Sequence, residues 1–150
     1  MDQLEQMKKT IGDLFGSQRL AVLATHRDGQ PYASLVAFAA TQDLKELLFA
    51  TARSTRKFAN LTRHSRVSLL VDSRSNRDAD IHQAMAVTAI GTAEEVEEMD
   101  RDRYLEIYLG KHPHLEEFVK APSCALIRVR VASYNLVSRF QKVMELHVTP

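Results

Sequence analysis

Apolar residues along the chain recur with two different periods, and the change of period separates the predicted elements. Between residues 2 and 16 they recur at spacings of three and four, which predicts an amphipathic helix that ends near Gly12 or Gly16. The apolar residues of this helix are Leu4, Met7, Ile11, Leu14 and Phe15. From residue 20 onward, short apolar stretches with turn residues between them predict strands.

The first half of the chain predicts four strands and a short helix. "LAVLAT" and "PYASLVAFAAT" flank the Asp-Gly turn of "HRDGQ", so residues 20–41 predict a β-hairpin. "ELLFAT" predicts a third strand and "RVSLLVD" a fourth. The helix between them, "STRKFANLTRH", carries Phe58 and Leu61 on one face.

The second half begins with the polar run "SRSNRDADIHQ", residues 73–83, which predicts a surface loop. "AMAVTAIGTAEEV" predicts a fifth strand in which Gly91 marks a bulge or bend. Residues 99–120 predict a helix that breaks near Gly110 and Pro113. "CALIRVRVASYNLVSRF" and "VMELHV" predict two final strands.

Six or more strands with mostly short connections, together with two or three helices, predict a mainly β fold with helices, of the α+β class. The strands favour an antiparallel barrel or sandwich, because the alternation of helix and strand needed for a doubly wound sheet is absent. A chain of 150 residues without internal repeats or linkers predicts one domain over residues 1–150.

The charges of the chain nearly cancel but are unevenly distributed. A formal net charge of +1 argues against non-specific binding to nucleic acid or to an anionic membrane. Residues 53–77 nevertheless hold seven basic side chains and one acid, Asp72, which favours a small anionic ligand. The acidic run from Glu94 to Glu98 is interpreted as a solvated strand end.

Cysteine content and apolar run length indicate the compartment. The single Cys124 excludes an intrachain disulfide and fits a reducing environment. The N-terminus has no signal-peptide pattern, and no apolar run approaches the roughly 20 residues that span a bilayer. We therefore expect a cytoplasmic protein that does not act at a membrane.

The stretch "ARSTRK", residues 52–57, has the residue types of a phosphate-binding turn that enters a helix. Ser54 or Thr55 can cap the helix, while Arg56 and Lys57 can add charge-assisted hydrogen bonds to an anion. The residues alone fit a solvated basic helix face equally well. Basic residues oppose the helix dipole at this end, by about a few tenths of a kcal/mol, and a bound anion would reverse that penalty.

The order of "GQPYASLVAF", "LLFAT", "ARSTRK", "FANLTRH" and "RVSLLV" closely resembles the pyridoxamine 5′-phosphate oxidase-like family of FMN-binding split β-barrels. The likeness runs from Gly29 to Val71 without gaps and extends to "AVTAIGTAEEV". The resemblance implies a six-stranded antiparallel split barrel of the FMN-binding type. It also implies a homodimer with two FMN molecules in clefts between the subunits.

The resemblance also implies which residues contact the cofactor. Thr55, Arg56 and Lys57 match the triplet that grips the FMN phosphate, and Thr51 matches a position beside the flavin. Val36 and Ala50 fall where strand backbone contacts the ring. The predicted cofactor-binding set is Val36, Ala50, Thr51, Arg53, Ser54, Thr55, Arg56, Lys57, Asn76 and Gln83.

Asn76 and Gln83 enter that set because the loop 73–83 can fold over an intersubunit cleft. Gln83 could replace the Gln that the family offers the ring from its fifth strand, where this chain has Ala86. A polar loop without a role is the alternative.

Departures from the family pattern bear on the substrate. The authentic oxidases carry an Arg where this chain has Ser34 and a substrate-binding Lys where it has Ala39, and their C-terminal Arg-x-His element has no counterpart in "RFQKVMELHVTP". An unpaired substrate phosphate costs several kcal/mol on desolvation. We therefore expect no pyridoxamine-phosphate oxidase activity.

The expected function is an FMN-dependent oxidoreductase that acts on a small substrate or electron acceptor, with catalytic residues not identified. A non-catalytic protein that stores, senses or carries its cofactor is the alternative, and deazaflavin coenzyme or haem are the alternative ligands. Neither "HPH" at 112–114 nor any other pattern predicts a metal centre. His82 and His147 are the candidate axial ligands in the case of haem.

Overall fold

The computed structural model describes residues 2–138 and 142–150. The helices are α1 (Gln3–Ser17), α2 (Arg56–Arg63), α3 (Asp80–Gln83), α4 (Arg101–Lys111) and α5 (Glu116–Lys120), with 3-10 turns at Glu98–Asp100 and Pro113–Leu115. The strands are β1 (Leu20–Arg27), β2 (Gln30–Ala40), β3 (Glu46–Ala52), β4 (Arg66–Asp72), β5 (Ala86–Glu95), β6 (Cys124–Ser138) and β7 (Lys142–His147).

The strands form one antiparallel sheet in the order β3-β2-β1-β4-β5-β6-β7. Because β3 also pairs with β6, the first six strands close into a barrel, and the predicted six-stranded α+β barrel is confirmed. β6 pairs with β3 through residues 124–130 and with β7 through residues 133–138. β7 therefore pairs with the same edge of β6 as β3 does, but further along the strand.

The barrel splits between β2 and β3. These strands pair over only three positions, Phe38–Phe49, Ala39–Leu48 and Ala40–Leu47. In contrast, β3 pairs with β6 over seven positions. One edge of β2 and one edge of β3 are thus left without a strand partner beyond Phe38 and Phe49, on the side toward α2.

Apolar side chains fill the barrel and a second layer outside it. The inward residues of the strands pack with one face of α1, which contributes Met7, Ile11, Leu14 and Phe15. α1 continues through both glycines to Ser17, further than Gly12 or Gly16 would suggest. The second layer joins α4 and α5 to the outer surface of β2, β3 and β6. Among the described helices, none is long and apolar enough to cross a membrane.

Two predicted irregularities are present. The register of β5 against β6 shifts between Ile90 and Gly91, which confirms the bulge. The helix over 99–120 breaks after Lys111 and continues as a 3-10 turn that begins at Pro113. The polar run 73–83 ends in the one-turn helix α3, which the sequence pattern did not predict. The predicted residues Arg139 and Phe140 of the sixth strand lie outside the described residues.

Candidate functional site

The N-terminus of α2 opens at the end of β3, and a threonine caps it. Thr55 has extended backbone, and its hydroxyl accepts a hydrogen bond from the Phe58 N–H at 3.3 Å. The same hydroxyl donates to the Ala52 carbonyl at 2.9 Å and lies 2.8 Å from the Thr51 hydroxyl. Of the two candidate caps, Thr55 is therefore the residue that caps α2. Ser54 lies exposed in the turn before it.

The first turn of α2 is basic and uncompensated. Within the described residues, neither Arg56 nor Lys57 has an acidic partner at ion-pair distance. Among the same residues, the backbone N–H groups of Arg56 and Lys57 donate no hydrogen bond. Arg56 lies with its guanidinium carbon 5.2 Å from the ring centroid of Tyr32. Since a helix N-terminus already carries partial positive charge, this mouth is suited to a phosphate.

Arg53 belongs to the same basic turn but faces its own chain. Its two terminal nitrogens donate to the two carboxylate oxygens of Glu95, both at 2.7 Å, and its Nε donates to the Pro122 carbonyl at 3.2 Å. The backbone N–H of Arg53 donates to Ser123 at 2.8 Å. These hydrogen bonds hold the turn in place, and they also lower the pKa of Glu95.

Glu94 and Glu95 lie exposed at the end of β5, as the sequence interpretation of a solvated strand end has it, but both form ion pairs that it did not predict. β6 lies between β3 and β5, so the ends of those two strands meet beside it. Glu94 likewise pairs with Arg128 and Arg130. These ion pairs join residues far apart in sequence, and no local signal identified them.

The split edge of β2 exposes the backbone of alternate residues. The Phe38 N–H donates to Arg19, at the β1 side, so the polar backbone groups of Val36 face β1 as well. The Val36 side chain is buried in the barrel core. The backbone groups that face the split belong to Leu35 and Ala37, the neighbours of the predicted contact Val36.

On β3, the two predicted residues face opposite sides. Thr51 points into the barrel, is 1% exposed and hydrogen-bonds with Thr55, so it orients the turn that caps α2. Ala50 points outward into the α4 layer and is 8% exposed. Ala52 follows on the same outward face. Ala37 and Ala52 are partly exposed beside the split, whereas Ala50 is covered by the α4 layer.

Tyr108 of α4 lies at the closed end of the split. Its hydroxyl donates to the Ala37 carbonyl at 3.1 Å. The side chain is 1% exposed, and burial raises its pKa to about 12. No sequence pattern singled out this residue, which lies within the helix predicted over residues 99–120.

The two predicted loop residues lie apart from the α2 mouth. Asn76 lines a groove of about 520 Å³ on the outer face of β1, β2 and β4, together with Leu35 and Leu70. Gln83 lines a different groove, of about 760 Å³, between α1 and β7. Within one chain the structure does not bring them together with Arg56 and Lys57.

The histidines do not form a metal site. His112 is 1% exposed, and its Nε2 lies 2.7 Å from the Phe38 carbonyl, which accounts for its position. His147 lies 3.3 Å from Glu145 at the surface. Across residues 2–138 and 142–150, no three His, Cys, Asp or Glu side chains are placed to hold a metal ion.

A closed antiparallel barrel that splits between two strands defines a split β-barrel protein. The chain belongs to the pyridoxamine 5′-phosphate oxidase family, whose sequence model matches residues 7–138. No match was found among curated proteins.

Solved structures share the fold at low sequence identity. A haem-binding protein from Mycobacterium smegmatis is 17% identical, with a TM-score of 0.82 over 98% of this chain and 59% of that one. General stress protein 26 from Bacillus anthracis is 18% identical, with a TM-score of 0.70 over 95% and 99%. An FAD-binding protein from Mesorhizobium loti is 18% identical, with a TM-score of 0.68 over 85% and 90%. The chain thus spans less than two thirds of the haem-binding protein.

Proposed function

We propose that the chain binds FMN and passes electrons between this flavin and a small acceptor. The observation that supports this most directly is the α2 mouth, where Arg56 and Lys57 have no acidic partner within the described residues. Thr55 caps the helix, and Ser54 adds an exposed hydroxyl. A terminal phosphate would meet two positive side chains, two backbone N–H groups and hydroxyl groups at this mouth.

The ring of the flavin would lie along the split between β2 and β3. Leu35 and Ala37 present backbone groups there, and the partly exposed, small side chains of Ala37 and Ala52 would leave room for a flat ring. Bound FMN would supply the redox chemistry, and the protein would orient it and exclude water. Since Ser34 and Ala39 replace the charged substrate contacts of the authentic oxidases, we propose an acceptor other than pyridoxamine phosphate.

A homodimer would complete the site. The strand register aligns outward side chains of β2, β1, β4 and β5 in one row, Leu35–Val22–Leu70–Thr88. Leu20 and Leu35 are 53% and 63% exposed on this side of the barrel. A second copy would cover these apolar side chains and could bring its own Asn76 or Gln83 to the flavin, because neither lies near the α2 mouth of its own chain.

The test is a double variant at the mouth. Arg56→Ala with Lys57→Ala removes two charge-assisted hydrogen bonds, each worth about 1.5–3 kcal/mol, so we expect FMN affinity to fall at least a hundredfold. Flavin absorbance of the purified protein and an FMN fluorescence titration measure this. Arg63→Ala is the matched control, since Arg63 is a basic residue at the other end of α2, 3.5 Å from Asp28. Unchanged FMN binding in the double variant would place the phosphate elsewhere.

Haem is the second candidate ligand, for two reasons. The haem-binding protein from M. smegmatis has the same fold. In addition, His82 lines the groove of about 760 Å³ together with the apolar side chains of Met7, Met85 and Met144. A Soret band in place of flavin absorbance in the purified protein would favour haem. Consumption of NADH or NADPH by flavin-loaded protein would favour the oxidoreductase.

A further inference from the structure

Tyr108 occupies the place where the β2–β3 ladder would continue. Residues of an antiparallel pair alternate between hydrogen-bonded and non-hydrogen-bonded positions. Because Phe38 directs its N–H to Arg19 on the β1 side, Ala39 and Leu48 form a hydrogen-bonded position. In the same register, the next hydrogen-bonded position would pair Ala37 with Ala50. The Tyr108 hydroxyl instead donates to the Ala37 carbonyl at 3.1 Å, the acceptor that the Ala50 N–H would use in that pair.

One hydroxyl thus replaces direct strand pairing. It donates its proton to the Ala37 carbonyl, so this backbone acceptor keeps a partner although β3 does not pair with it. The ring of Tyr108 is fixed in the second apolar layer, beside Ala50 and Leu105. The rigid helix α4 therefore sets the separation of β2 and β3 at the start of the split.

We propose that Tyr108 is a positioning residue of the cofactor cleft, whose hydroxyl prevents β2 and β3 from pairing beyond Ala39–Leu48 and so fixes the width of the cleft. The inference rests on the proposed flavin site, which would occupy the same split. Tyr108 acts through the backbone of Ala37 and takes no part in electron transfer.

The test compares Tyr108→Phe with Tyr104→Phe, its matched control. Tyr104 lies one turn earlier on α4, is equally buried, and donates its hydroxyl to Glu46 at 2.8 Å, away from the split. We expect Tyr108→Phe to weaken FMN binding roughly tenfold and Tyr104→Phe less than twofold. Riboflavin lacks the phosphate. Its affinity should fall by the same factor in Tyr108→Phe and should not change in the Arg56 and Lys57 variants.

A readout without flavin tests the geometry directly. In Tyr108→Phe, the loss of the inserted hydroxyl should let Ala37 pair with Ala50, which gives a new cross-strand nuclear Overhauser contact between their backbone protons. The wild type should lack this contact. If Tyr108→Phe does not fold, the Cζ chemical shift of isotope-labelled Tyr108 in the wild type replaces the variant, and it should respond to FMN more than that of Tyr104.

The outcomes separate this inference from the proposed function. If the wild type binds neither FMN nor riboflavin, the proposed function fails, and the role of Tyr108 in a flavin cleft fails with it. If the wild type binds flavin but Tyr108→Phe binds it equally well, only the positioning role is overturned. If the Cζ chemical shifts of Tyr108 and Tyr104 respond equally to FMN, the positioning role is also overturned.

Discussion

Single buried tyrosine hydroxyls satisfy backbone groups at two places in the barrel. Tyr134 of β6 is fully buried, and its hydroxyl donates to the Leu44 carbonyl at 2.8 Å. Burial raises the pKa of Tyr134 well above its ordinary value of 10.0, and it raises the pKa of Tyr108 to about 12. Both groups therefore stay protonated in the folded chain at pH values where an unfolded chain loses those protons.

These tyrosines predict a loss of stability at alkaline pH. Because the pKa is higher in the folded state, the contribution is complete below about pH 10 and decreases as the pH rises further. Denaturant unfolding at pH 9 and pH 11 should show the difference in unfolding free energy between wild type and Tyr134→Phe shrinking at the higher pH. A constant difference would mean that Tyr134 does not release its proton on unfolding.

In the basic turn, the sequence predicts the position of one arginine but not that of another. Arg53 and Arg56 belong to one run of similar residues, and the sequence pattern placed both at the phosphate. Arg56 lies at the helix mouth, while Arg53 is bonded to Glu95, 42 positions away. The helix mouth could be predicted because capping depends on adjacent residues. The partner of Arg53 could not, because it depends on which strands flank β6.

At the scale of elements, a close backbone contact at the bulge of β5 requires a glycine. A Cβ placed on Gly91 would lie 2.2 Å from the backbone oxygen of Arg130. Backbone cannot move aside as a flexible side chain can, so only glycine fits at this position without distortion.

We expect Gly91→Ala to lower the free energy of unfolding by about 2 kcal/mol or more, as overpacking does. Gly12→Ala is the control, since a Cβ at Gly12 in α1 would meet no atom within 4 Å. Alanine is the better helix former by about 1 kcal/mol, so the control should stabilise the protein. Urea unfolding of both variants measures the two effects, and equal stabilities would contradict the contact.

Elements with local signals were predicted well, and those without were not. The hairpin around "DGQ" and the helix break near Pro113 depend on turn residues and appear where expected. α3 is four residues long, too short to produce a helical period. The side of β2 that Val36 faces depends on the pairing of β2 with β1 and β3, which periodicity alone does not determine.

For the whole molecule, the apolar outer face of β1, β2 and β4 predicts self-association. Leu20→Asp would place a charge on this face, so we expect it to shift the proposed dimer to monomer in sedimentation velocity measurements. Val143→Asp is the control, because Val143 is 64% exposed on β7, outside the row of outward residues. Since the flavin would lie between subunits, Leu20→Asp should also lower FMN affinity. A monomeric wild type would contradict the proposed dimer.

The pairing of β3 with β6 has a consequence for the order of assembly during synthesis. Ala52, just before the α2 mouth, pairs with Cys124, and Arg53 is bonded to Ser123. A nascent chain that has not yet emerged past residue 124 lacks these two contacts of that turn. The α2 mouth is therefore completed only after most of the polypeptide has left the ribosome, and loading of the proposed flavin would be a late step of biogenesis.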